Sequence, residues 1–216
     1  MTSAAADDTD EVTAAFPRST DLVLLPSPAT TAFENAYAAS GARTQRAPAL
    51  APPLPRREAF VAGASLVQLG PLHPADLDDA WYGCRGTAHA LDLQGLTRRV
   101  VAGRVEAAVD PRVRTILARC AWIKGSADEW RLVDSCVDGC ADAERLVTRG
   151  IDGGELIAAD GTHRWRADPP VDPCDPTGAG DVHFAAYLAH RAHGDAPETA
   201  AAAAARFTSA FLASRQ

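Results

Sequence analysis

Residues 175–181 read Asp-Pro-Thr-Gly-Ala-Gly-Asp and stand directly before the apolar run Val-His-Phe-Ala-Ala-Tyr-Leu-Ala-His at 182–190. A helix that begins near Gly178 leaves its first backbone N–H groups outside the helical ladder, with partial positive charge at that end. Gly178 and Gly180 remove the side chains that would block an approaching group, and Ala179 is nearly as small. Such a turn suits an anion, above all a phosphoryl group. Asp181 falls within the first helical turn. A carboxylate repels a phosphate, so its chemistry there is that of a base taking a proton from an attacking hydroxyl. The same residues also make an ordinary helix start, with Thr177 as cap, glycines for tight packing and Asp181 favouring the helix dipole.

The elements around this turn alternate. Residues 21–26, 64–70, 88–95, 121–125 and 144–150 read as strands. Residues 73–82, 110–120 and 126–133 read as helices, the last begun by Ser126. Residues 153–167 form a hairpin pattern with Asp-Gly at its tip. Residues 30–55 mix strand-like alternation with glycine and end in a proline-rich connection. Two long helical stretches, 178–193 and the alanine-rich 197–213, close the chain. This alternation predicts an α/β fold with a mostly parallel sheet and helices on both faces.

The 216 residues carry a net charge of −7 without a basic stripe, which argues against nucleic acid as a partner. No uncharged apolar run approaches the ~18 residues of a spanning helix, so no membrane partner is expected. The acidic, polar opening lacks the pattern of a secretory signal, which points to the cytoplasm. Five irregularly spaced cysteines read as free thiols rather than a disulfide framework. Asp134, Asp138 and Asp142 stand four apart but do not match a calcium loop, and read as a solvated surface. Of 21 basic residues only Lys124 is lysine, taken at this level as genome composition.

The stretch 175–188, DPTGAGDVHFAAYL, resembles the signature of the ribokinase-like, or PfkB, family of sugar kinases, although His183 stands where that family often has phenylalanine. The resemblance implies a three-layer α/β/α fold, with Asp181 as catalytic base and the backbone of Gly178, Ala179 and Gly180 as the anion hole. Residues 147–154, VTRGIDGG, resemble the family's strand and turn at the nucleotide site. They imply nucleotide contacts at Thr148, Gly150 and Gly153, joined by Asp175 and Thr177 of the signature. Residues 126–129, Ser-Ala-Asp-Glu, are similar to the family's N-x-x-E element, so Glu129 would hold magnesium through water, with Ser126 replacing the asparagine. Residues 91–98, LDLQGLTR, resemble a D-x-N-x-R-like strand end that makes Arg98 a substrate or phosphate contact. The segments at 30–37, 41–45, 69–77 and 91–95 resemble the inositol- or sugar-kinase-like branch, and bring in Asn35 as a second such contact.

The implied activity is phosphoryl transfer from ATP, with Mg2+, to a hydroxyl of a sugar or cyclitol. No Gly-Gly pair precedes position 153, so the opening strands and part of the lid of the family fold are expected to be missing. The expected organisation is a mobile segment 1–20 and one domain over 21–216, divided into a partial substrate and lid region (21–63) and a nucleotide-binding core (64–216). Exposed sheet edges would favour a homodimer. The rival expectation is a non-catalytic relative that binds nucleotide or a protein partner.

Overall fold

The computed structural model describes residues 1–37, 43–83, 87–171 and 176–215. Along the chain run β1 (Thr2–Ala4), α1 (Thr9–Ala14), β2 (Leu24–Pro26), β3 (Ala32–Tyr37), β4 (Arg43–Ala49), α2 (Glu58–Val61), β5 (Leu66–Leu69), β6 (Ala88–Asp92), β7 (Arg98–Val101) and β8 (Arg104–Ala107). Then follow α3 (Val113–Leu117), β9 (Trp122–Ser126), α4 (Ala127–Leu132), β10 (Glu144–Thr148), β11 (Gly154–Ala158), β12 (Gly161–Trp165), α5 (Ala179–Ala192) and α6 (Pro197–Ala213). The stretch 73–82, expected as a helix, supplies only a short 3-10 segment at Asp79–Gly83. Within the segment 1–20, expected as mobile, residues 2–14 hold a strand and a short helix.

The chain divides into two units: residues 1–63, 71–85 and 94–111, and residues 64–70, 86–93 and 112–216. In the first, β1 pairs in parallel with β2, and a second sheet has the order β3-β4-β8-β7. The hairpin of β7 and β8, absent from the sequence reading, turns at Ala102 and Gly103, both in the left-handed region. Gly95 belongs here for steric reasons, since a Cβ at this position would stand 2.2 Å from the Pro71 carbonyl oxygen.

The second unit is the α/β body. Its six strands lie in the order β12-β11-β10-β9-β6-β5, parallel from β5 through β10 and antiparallel in the last two pairings. One face carries Ala90, Leu146 and Leu156, all without solvent exposure, and packs against Phe184, Tyr187 and Leu188 of α5. Ala200, Ala201, Ala204 and Ala205 form a buried stripe on α6, and side chains this short let a helix approach its neighbours closely. Val113, Ile116 and Leu117 of α3 and Trp130 of α4 are buried elsewhere in the unit.

Ser126 starts α4 as expected. Its hydroxyl accepts from the Glu129 N–H at 3.2 Å while Glu129 Oε2 accepts from the Ser126 N–H at 2.6 Å, a complete capping box. Among the described residues no helix is long and apolar enough to cross a membrane.

Candidate functional site

The carboxyl ends of the parallel strands and the head of α5 meet within the second unit. Gly178 is the N-cap of α5 at φ +83°, a conformation that favours glycine, and Ala179 begins the helix. The ladder opens with the Val182 N–H donating to the Gly178 carbonyl at 2.9 Å, and the Ala179 N–H closes a turn onto the Pro176 carbonyl at 3.1 Å. Asp181 stands in the first turn with its side chain 71% exposed. An acid at this end is favoured by the helix dipole.

Beneath this helix head lies Lys124. Asp92 ends β6 and is paired in register with Lys124 of β9, so the two side chains leave the sheet on one face. Lys124 Nζ donates to Asp92 Oδ2 at 2.5 Å and stands 3.9 Å from Asp181 Oδ1. Both members of the inner pair are buried, Asp92 at 3% exposure and Lys124 at 7%. Burial alone would lower the lysine's pKa. The charge and hydrogen bond of Asp92, with the charges of Asp181 and Glu129, outweigh it and hold the ammonium above its ordinary range. A Cβ on Gly180 would stand 2.8 Å from Nζ, so the glycine is what lets the ammonium lie against the first turn of α5.

Beside the helix head opens a cavity of about 360 Å³. Thr148, Gly150, Ile151 and Gly153 form one side, Ala205, Thr208, Ser209 and Leu212 of α6 another, and Trp165 and His183 also contribute. Its polar side chains are largely satisfied within the protein. The Thr208 hydroxyl donates to the Ala204 carbonyl at 2.8 Å, and the Ser209 hydroxyl accepts from the Asp168 N–H at 3.1 Å. Ile151, 53% exposed, is an apolar residue at this wall. Gly153, at φ +85°, has no room for a side chain, since a Cβ would fall 2.2 Å from the Trp165 carbonyl oxygen. An apolar slot of this size fits the flat ring of a nucleobase.

His183 stacks on Trp165 with ring centroids 4.9 Å apart. It is 5% exposed, and its Nε2 has no hydrogen-bond partner among the described residues. Burial, helped by the charge of Lys124 and opposed by a hydrogen bond to the Ala204 carbonyl, depresses its pKa to about 4. The ring is neutral at physiological pH.

The structure therefore gathers Thr148, Gly150, Gly153, Ala179 and Gly180 around one cavity, with Gly178 and Asp181 at the adjoining helix head. Thr177 contributes its carbonyl, which accepts from Arg215 Nη1 at 2.8 Å. Asp175 lies outside the described residues. Arg98 and Asn35 belong to the first unit. There the buried Arg98 guanidinium donates to the Leu72 carbonyl at 2.5 Å and to Gln45 Oε1 at 3.0 Å, and lies 4.5 Å over the Phe33 ring. Gln45 in turn donates to Asn35 Oδ1 at 3.0 Å. Lys124, Asp92 and His183 escaped the sequence reading. The signal for Lys124 was present, a lone lysine at the end of a strand in a chain that otherwise uses arginine.

Among the described residues no three His, Cys, Asp or Glu side chains converge as a metal cage. A hydrated magnesium ion needs no cage, because it keeps several waters and is held by one or two carboxylates and the substrate's phosphates. Glu129 fits that use. Its capping bond occupies one carboxylate oxygen, and its charge reaches Lys124 at the same sheet end.

The pfkB family carbohydrate kinase model matches residues 30–216. No protein of curated function matches the sequence. Among solved structures, a pyrophosphate-dependent kinase of the ribokinase family in complex with sulfate is similar with a TM-score of 0.84 and 19% identity, over 98% of this chain and 79% of that one. Ribokinase from Thermotoga maritima gives a TM-score of 0.70 at 12% identity, covering 98% and 73% of the two chains. A nucleoside kinase from Burkholderia thailandensis, in complex with inosine, gives 0.69 at 19% identity, covering 99% and 72%. The fold is thus the ribokinase-like α/β fold expected from the sequence.

Proposed function

Because the chain belongs to the pfkB family of carbohydrate kinases, we propose that it transfers the γ-phosphoryl group of ATP to a hydroxyl of a sugar or cyclitol, with Asp181 as the base. The observation that carries this reading is the exposed Asp181 carboxylate at the head of α5, beside a cavity of base-sized, apolar character. The base of the donor lies in the slot between Ile151 and Leu212, and its phosphates run toward Gly178–Gly180. Small residues there leave room for the phosphoryl group, and helix-end amides offset its negative charge. As the acceptor oxygen bonds to the γ-phosphorus, its proton passes to Asp181, the bond from phosphorus to the bridging oxygen breaks, and ADP leaves. Glu129 would hold a magnesium ion through water, which would supply further charge neutralisation.

A second donor deserves a direct comparison. Two similar structures, at TM-scores of 0.84 and 0.80, are of pyrophosphate-dependent kinases, the second complexed with a pyrophosphate analog and myo-inositol. Pyrophosphate would use the helix head and leave the apolar slot empty, so the slot favours ATP.

The test is turnover with ATP and with pyrophosphate across a panel of sugars, inositols and nucleosides, repeated with Asp181→Asn. Acceptor phosphorylation by the wild type, with a fall of about 10²–10⁴ in kcat and near-normal ATP affinity in the variant, supports the reading. Unchanged turnover in Asp181→Asn refutes the base. ATP binding without phosphorylation of any acceptor would favour a non-catalytic nucleotide-binding protein.

A further inference from the structure

Lys124 is the chain's single lysine, it is buried, and it stands between two carboxylates of different exposure. A buried ion pair by itself is a poor stabiliser, since well-packed apolar residues of similar volume often do as well or better. The arrangement has features that a purely structural pair does not need. Asp92 ends β6 and Lys124 pairs with it in register on the neighbouring β9, both on interior strands of the sheet, and Gly180 yields the space that lets Nζ reach toward Asp181.

We propose that Lys124 is a positioning residue for phosphoryl transfer, anchored by Asp92, which orients Asp181 and keeps its carboxylate ionised to receive the acceptor's proton. The proposal rests on the reading of Asp181 as the base. Asp92 fixes the ammonium from below at 2.5 Å, and the remaining attraction acts on Asp181 at 3.9 Å. Among the described residues, the other charged or titratable groups acting around the ammonium include Glu129 of α4 and the neutral ring of His183 on α5. Asp181 is well exposed, so solvent screens part of the attraction. What remains at this distance favours the ionised carboxylate.

The experiment compares the full chain with a Lys124→Met, Asp92→Leu double variant, which removes the pair without leaving a lone buried charge. Carboxyl-carbon NMR, assigned with Asp181→Asn, follows the Asp181 side chain through its titration and needs no turnover. The expected result is an Asp181 midpoint shifted upward in the double variant by more than about 0.2 pH units. The acid limb of kcat/KM should move upward with it, while donor and acceptor KM stay near wild type above that limb. Thermal unfolding checks that the variant is folded, and Lys124→Met alone serves as the second variant. A midpoint unchanged within about 0.2 units would overturn the proposal. A wild type that phosphorylates no acceptor would remove the kinase reading, whereas the NMR comparison would still decide whether Lys124 controls Asp181.

Discussion

His183 supplies a prediction whose size follows from its surroundings. Its ring is buried against Trp165, near the Lys124 ammonium, with Nε2 unpartnered among the described residues. Its pKa falls from 6.5 in the unfolded chain to about 4 in the folded one. Between those values the unfolded state binds the proton more readily, so stability rises with pH across this window. The contribution is complete above the unfolded pKa and is lost as pH falls toward the folded one. From the two pKa values, moving from about pH 7.5 to about pH 5 removes roughly 2 kcal/mol of stability through this residue alone. For a chain of this size that corresponds to a drop in Tm of about 4–8 °C. His73, whose pKa is also lowered by burial, pushes in the same direction, and His163, raised by its hydrogen bond to Asp160, pushes the opposite way. A comparison with His183→Phe cancels both. Phenylalanine conserves the ring's shape, and the Ala204 carbonyl keeps its bond from the Thr208 hydroxyl. Urea unfolding at the two pH values, on wild type and variant, is the assay. The variant should lose about 2 kcal/mol less than the wild type on acidification. Equal losses in the two proteins would refute the account of His183 as a buried neutral ring.

Three further outcomes are expected. Asp181→Asn should lower kcat by about 10²–10⁴ while calorimetry finds ATP affinity little changed. Thr208→Trp, which fills the cavity from α6, should raise the KM for ATP at least about tenfold and leave pyrophosphate-driven turnover, where present, unaffected, because the bulk meets only the base. Ser126→Ala removes the hydroxyl half of the capping box and should destabilise the protein by about 1 kcal/mol in thermal or urea unfolding.

The elements around Asp181 were legible because their signals are local. Glycines 178 and 180, the capping serine at 126, the Asp-Gly hairpin tip and the two closing helices each follow from a few neighbouring residues. The hairpin of β7 and β8 was not legible. Its turn uses Ala102 in a left-handed conformation, which alanine seldom adopts, and its strands carry charged residues on both sides of the turn. Residues 73–82 have a helical beginning in Pro74, yet tertiary bonds, such as Trp81 Nε1 donating to the Leu54 carbonyl at 2.9 Å, hold them in tighter turns. Lys124 and Asp92 are 32 residues apart, and only strand register makes them neighbours. His183 reads as one polar residue in an apolar helix, and its packing against Trp165 depends on the β11–β12 hairpin extending the sheet beyond β10.

The alanine stripe on α6 carries a consequence for specificity. Of that stripe only Ala205 also lines the slot, beside Thr208, Ser209 and Leu212 of the same helix, and at Ala205 the wall stands a single carbon from the backbone. One methyl group more or less at Ala205 would narrow or widen the opening at that point, since a single carbon fixed to the helix cannot swing aside. The last helix thus works as a feeler gauge, and the range of ring sizes admitted as donor can be tuned at that residue without touching the groups beside the transferred phosphoryl.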